Sequence, residues 1–504
     1  MNLKRVADEM AAQRGHDVMH VAITQDVGRL QPASGPIVNY DVMMDDAEPP
    51  SEFRLTSKIS WSALWKDFNG LMTRACDGLM GNATALAQLK AFGADVMLAE
   101  AFSPCPALLA SKLDLPWVDF WPAAPVEPFM SSLWSGANRQ MFQPNPLSYY
   151  PQFFMRSTTQ RMGILKRVEN VLNYWYWILD DWMVHKTVVQ ALYKRHGFDA
   201  LAPQERRRLV MHIVPADWAA EWLRPVSPNM KLVGPVLAGP GKPLPAQFEA
   251  IMAEAGKEGV LLVSLGTIAE LDKQQLIGMA AAFATLPCKV LWRLTPKEIP
   301  DASAIAELKM SNNTKIVTWV PQNDVLAHPN VRAFLSHAGI NSMYEAIYHA
   351  KPVLAMPFFG DQPSNADRIV AKGFGLQMDP TQAGTPAFQK ALMAVLTDPR
   401  YARAAKAMSV KIRARKNTPV QEAADWIEHV MATNGEPYLK TPEDELSFIA
   451  RNSIDVHAIV AAFCFLFALV ALAALRALVR RCKPTAALLL ANTWDALLVK
   501  QKIA

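Results

Sequence analysis

The sequence has little that would suggest a disulfide framework or a zinc site. Its 504 residues include only five cysteines, which is an odd number. They are widely spaced, form no Cys-x-x-Cys pair, and lie at Cys76, Cys105, Cys288, Cys464 and Cys482. Neither of these cysteine-based scaffolds is therefore indicated.

An excess of charge of one sign is also nearly absent. The chain has 51 Lys and Arg residues against 46 Asp and Glu residues, which gives a formal net charge of +5. The excess is spread over the whole length, and it is too dilute for the basic surface of a nucleic-acid-binding protein. We therefore expect no nucleic-acid partner.

An export signal is a third missing feature. Residues 1–18 contain no apolar run of signal-peptide length and no small-residue cleavage site. The long apolar run lies at the other end, from Val456 to Leu475, and it contains no formally charged residue. A helix of this length spans the hydrocarbon layer of a membrane. Basic residues follow it and acidic residues precede it, which predicts a short cytosolic tail and a body on the far side of the membrane.

A body beyond the membrane needs an export signal, so these two observations conflict. We expect the chain as given to lack its natural beginning. Two N-glycosylation sequons, Asn82-Ala83-Thr84 and Asn312-Asn313-Thr314, fit a lumenal glycoprotein of the endoplasmic reticulum, although such tripeptides also occur by chance.

The N-terminal part alternates helical patterns with short apolar runs. Residues 3–14 have helical spacing, and strands are predicted at Asp17–Thr24, Asp95–Ala99 and Leu115–Phe120. This alternation is typical of parallel strands with crossover helices. An aromatic-rich helical stretch at about residues 160–195 is interpreted as core; a bilayer surface and a pocket for an apolar ligand are the alternatives.

The segment Gly234–Leu244 concentrates glycine and proline and is predicted to link two domains. After it, several apolar runs are each followed by polar or glycine residues and then by a helical pattern. These runs are Gly259–Ser264, Cys288–Trp292, Lys315–Trp319, Ala333–Ser336 and Val353–Met356. They predict a second doubly wound α/β domain, whose ligands should bind at the carboxyl ends of the strands.

One strand of this domain leads into a predicted anion site. After Ala333–Ser336 comes a tight turn, His337-Ala338-Gly339, and Asn341-Ser342 then opens a helix that carries Glu345. The N-terminus of a helix attracts anions, so a phosphate is expected at Gly339–Ser342.

Neighbouring strands bring further polar groups to the same sheet edge. Trp319 and Gln322 follow the preceding strand, and Asp361 and Gln362 follow the next one. Together these groups resemble the donor-site signature of the UDP-glycosyltransferases, in which W-x-P-Q, H-x-G-x-N-S-x-x-E and D-Q occur in this order. The resemblance extends from Arg14-Gly15-His16 to the tail. The apolar helix with its basic tail is similar to the animal membrane-bound branch, which includes the UDP-glucuronosyltransferases.

The resemblance implies a role for each residue of the site. Trp319 would stack on uracil, Gln322 would lie near the nucleoside, and Glu345 would take the ribose hydroxyls. The diphosphate would be held by His337, Gly339, Asn341 and Ser342, and the donor sugar by Asp361 and Gln362. Ser264, Gly266 and Thr267 match a family turn that faces the phosphates, and Arg293 matches a basic residue after the strand V-L-W-R. The sequence contains no Asp-x-Asp, so we expect no metal and no other cofactor; the UDP-sugar is a co-substrate.

The resemblance breaks in the first domain. In the family, a histidine in the loop after the first strand is the general base, and an aspartate orients it. Neither His16 nor His20 lies in that loop, and Glu100 stands at the aspartate position. Either the recorded start is an internal methionine, which we favour, or the chain is complete. In the second case it is a catalytically impaired pseudoenzyme or partner subunit that binds UDP-sugar.

The prediction is an inverting UDP-glycosyltransferase that moves glucose or glucuronic acid from a UDP-sugar to a hydroxyl of a small lipophilic acceptor. A lipid-transport or receptor protein without UDP affinity is a further alternative. The implied fold is α/β, with two doubly wound Rossmann-like domains (GT-B) and a C-terminal transmembrane helix. The resemblance also allows a homo- or hetero-oligomer.

The predicted segments are an acceptor-binding domain at 1–233 with its first strand missing, a linker at 234–245, a UDP-sugar-binding domain at 246–425, a C-terminal helix and membrane-proximal segment at 426–453, a transmembrane helix at 454–475 and a cytosolic tail at 476–504.

Overall fold

The computed structural model describes residues 2–23, 35–40, 61–100, 103–121, 159–198, 208–224, 226–266, 271–296, 298–299, 301–439, 448–451 and 454–501. Two compact units are present, Met1–Thr441 and Pro442–Ala504. Within the first unit we call residues 1–233 the N-terminal half and residues 246–439 the C-terminal half.

The N-terminal half is built on parallel strands, as the alternating sequence pattern predicts. Four strands form a parallel sheet in the order β3-β4-β5-β6, and β1 pairs in parallel with β2. The elements are α1 (Asn2–Ala12), β1 (His20–Ile23), β2 (Ile37–Tyr40), α2 (Trp61–Gly81), α3 (Ala83–Phe92), β3 (Met97–Glu100), α4 (Cys105–Leu113), β4 (Trp117–Phe120), α5 (Ile164–Val184), a π-helical turn (His185–Val189), α6 (Gln190–Arg195), β5 (Leu209–Val214) and β6 (Met230–Leu232).

The cysteines differ from the expectation. Cys76 in α2 and Cys105 at the start of α4 form a disulfide, with their Cα atoms 5.1 Å apart. Twenty-nine residues separate them in the sequence, and their proximity arises from the packing of α2 against α4. The spacing of cysteines alone does not show such a contact.

Helix α5 also differs from the expectation. The aromatic-rich stretch is helical, and its C-terminal part is core, since Val189, Leu192 and Tyr193 are buried. The apolar side chains of α5 that the structure describes are not buried. Leu165 is 82% exposed, Leu172 is 66% exposed and Tyr176 is 58% exposed. The interpretation as core is therefore wrong for these residues. The bilayer surface and the apolar-ligand pocket stay predictions.

The C-terminal half contains a six-stranded parallel sheet in the order β12-β11-β10-β7-β8-β9. Its elements are α7 (Ala246–Glu254), β7 (Val260–Ser264), α8 (Lys273–Ala284), β8 (Lys289–Arg293), α9 (Ala302–Glu307), β9 (Thr314–Val317), α10 (Gln322–Ala327), β10 (Val331–Ser336), α11 (Ile340–Tyr348), β11 (Val353–Ala355), α12 (Gln362–Ala371), β12 (Gly375–Gln377), a 3-10 turn (Pro380–Gln382), α13 (Pro386–Thr397), α14 (Pro399–Arg413) and α15 (Pro419–Ala432).

This order creates a switch point between β7 and β10. From β7 the chain moves outward through β8 and β9, and it then returns to the other side of β7 and moves outward through β10, β11 and β12. Every residue of β7 is buried, as are all residues of β10 except Arg332. Open α/β sheets bind ligands outside the carboxyl ends of the strands at such a point. The ends of β7 and β10, Ser264 and Ser336, therefore locate a candidate site.

The two halves are joined more than once. Residues 233–245 contain neither helix nor strand, and the linker predicted there stays a prediction. Helix α15 then packs back on α1 and β5 of the N-terminal half, where Arg14 Nη2 donates to Asp425 Oδ1 at 2.7 Å. This helix runs across the predicted boundary at 425 and 426. The domain boundaries themselves stay a prediction.

The second compact unit contains α16 (Phe448–Arg451) and α17 (Ile454–Gln501). Residues Ile454–Leu478 of α17 are long and apolar enough to cross a membrane. The long apolar helix predicted at 454–475 is therefore present.

Candidate functional site

His337 lies at the switch point, between two glycines. A Cβ atom built on Gly266 would lie 2.9 Å from His337 Nε2, and one built on Gly339 would lie 2.5 Å from the same atom. Gly266 also has φ +82°, a conformation that side chains disfavour. Only glycine at these two positions lets the imidazole lie between the turn after β7 and the start of α11.

The imidazole of His337 is neutral near pH 7. Burial lowers its pKa to about 4, with a further decrease from Arg293 and an opposing effect of a hydrogen bond to the Ser264 backbone. Its Nδ1 is buried without a hydrogen-bond partner in the described structure. A neutral ring can donate one N–H to a phosphate oxygen.

The N-terminus of α11 is built for an anion. Ala338 has φ +61° and turns the chain into the helix, whose N-cap residue, Gly339, has no side chain to cap it. The Ile340 N–H of the first turn donates to Asp361. Asn341 is half-buried and Ser342 is buried on this first turn. The remaining backbone N–H groups of this turn and the helix dipole favour a phosphate at this point.

Helix α10 contributes a polar cluster beside this turn. Gln322 Nε2 donates to Ser342 Oγ at 2.9 Å and to Glu345 Oε2 at 2.5 Å. Burial raises the pKa of Glu345 to about 7, while the Gln322 hydrogen bond acts in the opposite direction. The carboxyl group is therefore poised between its protonated and ionised forms near neutral pH.

Trp319 lies three residues before Gln322 and is 63% exposed. The ring of Phe248 packs against it in an edge-on arrangement, with the two ring centroids 6.5 Å apart. A large aromatic side chain with an open face beside a polar cluster can stack on a planar base.

Arg293 joins two of the turns. Its Nη1 donates to the Gly266 carbonyl, and its Nε donates to the Thr318 carbonyl at 3.4 Å. The guanidinium group thus holds the turn after β7 next to the turn after β9. Ser264 is buried at the end of β7, and Thr267 lies outside the described residues.

Asp361 and Gln362 begin α12 at the same sheet edge. Asn365 Nδ2 donates to Asp361 Oδ2 at 2.7 Å and to the Ala338 carbonyl at 2.8 Å. Burial raises the pKa of Asp361, and the hydrogen bond from Asn365 opposes this shift. Gln362 Oε1 accepts from the N–H groups of Phe358 and Phe359, so its Nε2 remains the group that can donate to a ligand.

Contacts thus link the ends of three strands and connect Gly266, Arg293, Gln322, His337, Gly339, Ser342, Glu345 and Asp361 to one another or to the turns between them. Sequence reasoning missed Asn365 and its buried partner Arg368. The helical spacing of Asp361 and Asn365, four residues apart, is a signal that could have indicated Asn365. It also missed Asp217 and Glu221 of the N-terminal half, which contact Arg415 and Arg368. No sequence spacing relates these residues to their partners.

Glu100 lies at the carboxyl end of β3 in the N-terminal sheet, where it is exposed. The same sheet contains a His–Asp pair, in which His212 Nδ1 and Asp119 Oδ2 are 2.9 Å apart. Burial raises the pKa of Asp119, and His212 opposes the shift. Both side chains of the pair have no exposed surface, so an acceptor hydroxyl cannot reach them and the base role is not assigned to them.

Comparison with known families decides what the cluster belongs to. The family model described as "UDP-glucoronosyl and UDP-glucosyl transferase" matches residues 30–486. The chain is a member of this family.

The relatives of this chain include animal UDP-glucuronosyltransferases. The chain is 33% identical over 396 residues to UDP-glucuronosyltransferase 3A1 of Bos taurus, which covers 77% of this chain and 71% of the relative. It is 29% identical over 483 residues to UDP-glucuronosyltransferase 2B1 of Rattus norvegicus, which covers 90% of this chain and 87% of the relative.

Solved glycosyltransferases share the fold of this family member. A UDP-glucose:anthocyanidin 3-O-glucosyltransferase in complex with UDP matches with a TM-score of 0.58 at 16% identity, over 86% of this chain and 96% of that chain. The calicheamicin glycosyltransferase CalG4 matches with a TM-score of 0.56 at 20% identity, over 86% of this chain and 94% of that chain. The GT-B arrangement of two parallel sheets is therefore confirmed.

Proposed function

We propose that this UDP-glycosyltransferase moves a hexose, glucose or glucuronic acid, from a UDP-sugar to a hydroxyl of a small lipophilic acceptor, with inversion at the anomeric carbon. One observation carries the proposal. The ends of β7, β9 and β10 and the start of α12 are connected by hydrogen bonds around His337 and the N-terminus of α11. This is the place where a doubly wound domain binds a nucleotide.

The nucleotide part of the donor has a partner for each of its groups. Trp319 stacks on the uracil, and the ionised carboxylate of Glu345 accepts hydrogen bonds from the ribose hydroxyls. Ligand binding then competes with the Gln322 contact of Glu345. The diphosphate lies at the N-terminus of α11, with His337 as a neutral donor and the turn of Ser264, Gly266 and Thr267 facing it.

The reaction is a displacement at the anomeric carbon. The acceptor oxygen forms a bond to this carbon while the bond from carbon to the UDP oxygen breaks, and the acceptor proton passes to a general base. Negative charge grows on UDP, and the first-turn N–H groups of α11 stabilise it in the transition state. Asp361 and Gln362 orient the sugar by hydrogen bonds to its hydroxyls.

The N-terminal half supplies the acceptor site in this proposal. Glu100 orients the base in place of the family aspartate, and its side chain is one methylene longer. That difference favours a second candidate function, a protein that binds UDP-sugar but transfers it poorly. A positioned general base contributes about 10² to 10⁴ in rate, so the two candidates are well separated by turnover.

The proposed location is the endoplasmic reticulum membrane, with a lumenal body. The disulfide of Cys76 and Cys105 supports an oxidising compartment. The apolar segment Ile454–Leu478, followed by Arg480, Arg481 and Lys483, supports a cytosolic tail. We further propose that oligomer formation, with itself or with relatives, occurs in this membrane.

The proposal is tested with full-length protein in membranes. Calorimetry measures UDP affinity, and radiolabelled UDP-glucose and UDP-glucuronate measure transfer to a panel of hydroxylated apolar acceptors. Asn341→Ala should weaken UDP binding without unfolding the protein, because Asn341 is half-buried and outside the core. Asp361→Ala should reduce transfer more than UDP binding. Absence of UDP binding in the unmodified protein would contradict the proposal, and binding without turnover would favour the second candidate.

A further inference from the structure

Asn365 uses its whole side chain to hold the proposed donor site. It has no exposed surface. Its Nδ2 donates both to Asp361, which faces the sugar, and to the Ala338 carbonyl, in the turn that precedes the phosphate-binding helix. Its Oδ1 accepts from Arg368 Nη2. This amide therefore links the sugar-binding carboxylate to the diphosphate turn, in addition to the direct contact of the Ile340 N–H with Asp361.

Arg368 is itself held by a residue of the other half. Its Nη1 lies 3.1 Å from Glu221 Oε2, and the two side chains are only 2% and 1% exposed. Glu221 lies before the linker at 234–245, so the ion pair joins the N-terminal half to α12. A second contact orients Glu221, because Tyr344 OH donates to Glu221 Oε1 at 3.1 Å.

The connection continues beyond Tyr344. Its hydroxyl accepts from the Asp217 N–H at 2.7 Å, and the Asp217 carboxylate accepts from Arg415 Nη1, also at 2.7 Å. Residues 217–221 of the N-terminal half are thus held between α11 and α12, the two helices that carry the diphosphate turn and the sugar-binding residues.

Stability alone is a weak explanation of such a pair. Removing two charges from water costs several kcal/mol per ion, and well-packed apolar residues often stabilise a protein as much as a buried ion pair does. What an ion pair supplies, and apolar packing does not, is a fixed direction for the guanidinium. Here that direction determines which way the Asn365 amide points.

We propose that Asn365 is a positioning residue of the donor site, and that the Arg368–Glu221 pair lets the N-terminal half set its orientation. This inference rests on the proposed function. The placement of the sugar, more than that of the uracil and ribose, then depends on a residue of the half that binds the acceptor. Loss of Glu221 should therefore impair recognition of the sugar while the uracil and ribose contacts persist.

The test compares two ligands in full-length protein reconstituted in nanodiscs. Calorimetry gives the affinities for UDP and for UDP-glucose or UDP-glucuronate, whichever binds the unmodified protein more tightly, and the readout is the ratio of the two affinities. Asn365→Leu removes all three contacts at similar volume, and Glu221→Gln removes one charge at similar shape. Glu428→Gln is the matched control, because Glu428 joins α1 to α15 through Arg14 and contacts no donor-site residue among those described.

We expect the ratio of UDP-sugar affinity to UDP affinity to fall about tenfold in Asn365→Leu and about fivefold in Glu221→Gln. The control should leave it within about twofold. If Glu221 acts through Asn365, the double variant should fall no further than Asn365→Leu alone, since residues in one network are not additive. A merely structural role would lower the melting temperature without changing the ratio.

Each other outcome has a defined meaning. An unchanged ratio in Asn365→Leu, or additive losses in the double variant, would overturn the inference while leaving the proposed function in place. Unmodified protein that binds neither ligand would overturn both. If Asn365→Leu does not fold, Asn365→Asp keeps the shape and places a carboxylate against Asp361; it should lower the ratio at least as much, and an unchanged ratio would again refute the positioning role.

Discussion

At the scale of single residues, the glycines beside His337 separate two kinds of constraint. Gly266 combines a positive φ with a close approach to the imidazole, Gly339 has the close approach alone, and Gly256 has φ +52° with open space around it. These three positions allow backbone strain and contact with His337 to be measured independently.

We predict that Gly266→Ala lowers both stability and UDP affinity. Strain at its φ should cost about 1 kcal/mol or more, and displacement of His337 should weaken phosphate binding. Gly256→Ala should lose stability only, and Gly339→Ala should mainly lose UDP affinity. Denaturant unfolding and calorimetry measure the two effects, and equal behaviour of the three variants would contradict this division.

Glu345 gives a second prediction at this scale. Its pKa is raised to about 7, so it is protonated below that pH and ionised above it. If only the ionised carboxylate accepts the ribose hydroxyls, UDP affinity should rise about tenfold between about pH 6 and about pH 8. Glu345→Gln is the control, because the titration of UDP itself changes the affinity of wild type and variant alike. The difference in UDP affinity between the two proteins then reports the ionisation of Glu345 alone.

The raised pKa of Glu345 has the opposite effect on the stability of the ligand-free protein, which should be higher at low pH. The native pKa lies above the reference value of 4.5, so the stabilising contribution is present at low pH and is lost as the pH rises through 7. Glu345→Gln should therefore be more stable than wild type at about pH 8. A UDP affinity difference that does not vary with pH would contradict the assigned role of Glu345.

The sequence could indicate residues at strand ends but not those that act across the chain. Trp319, Gln322, His337 and Asp361 each lie at the end of an apolar run or a few residues after it, so the parallel-sheet rule places them at one edge. Glu221 follows no pattern that relates it to Arg368, because their contact depends on the packing of the two halves.

At the scale of elements, patterns that depend on burial were the most informative. Strand β7 is a continuous apolar run because it is covered on both faces, and its predicted and observed bounds differ by one residue at the start. The core prediction for α5 was wrong for a related reason. Aromatic side chains have the same helical spacing whether they face a core or remain exposed, so periodicity does not distinguish the two cases.

The disulfide between α2 and α4 gives a prediction at the scale of elements. Cys76→Ala together with Cys105→Ala should cost about 2–5 kcal/mol of unfolding free energy, because a cross-link that restricts the unfolded chain is lost. Dithiothreitol should lower the melting temperature of wild type and have little effect on the double variant. Cys288→Ala is the control, since Cys288 is a free buried thiol; equal sensitivity of wild type and the double variant to reductant would show that the bond does not form.

At the scale of the whole molecule, the two halves are coupled by polar contacts as well as by the linker. Arg415 contacts Asp217 of the N-terminal half and Glu422 at the start of α15, and Arg14 contacts Glu428 in the same helix. The C-terminal helix of the first unit therefore packs on the N-terminal sheet, although it follows the C-terminal sheet in the chain. A sequence divided at its linker does not show this return, because glycine- and proline-rich composition reports only one of the connections.

The orientation in the membrane gives the last prediction. The 25 residues Ile454–Leu478 reach about 37 Å as a helix, enough to cross the apolar layer of a bilayer. With basic residues on the C-terminal side, the tail should be cut by protease added to sealed microsomes while the first unit is protected. Asn312 lies exposed in a turn, so an endoglycosidase-sensitive mass shift that Asn312→Gln reduces would report a lumenal body independently. Protection of the tail with digestion of the first unit would reverse the orientation, and complete release by alkaline carbonate would show that α17 does not span the membrane.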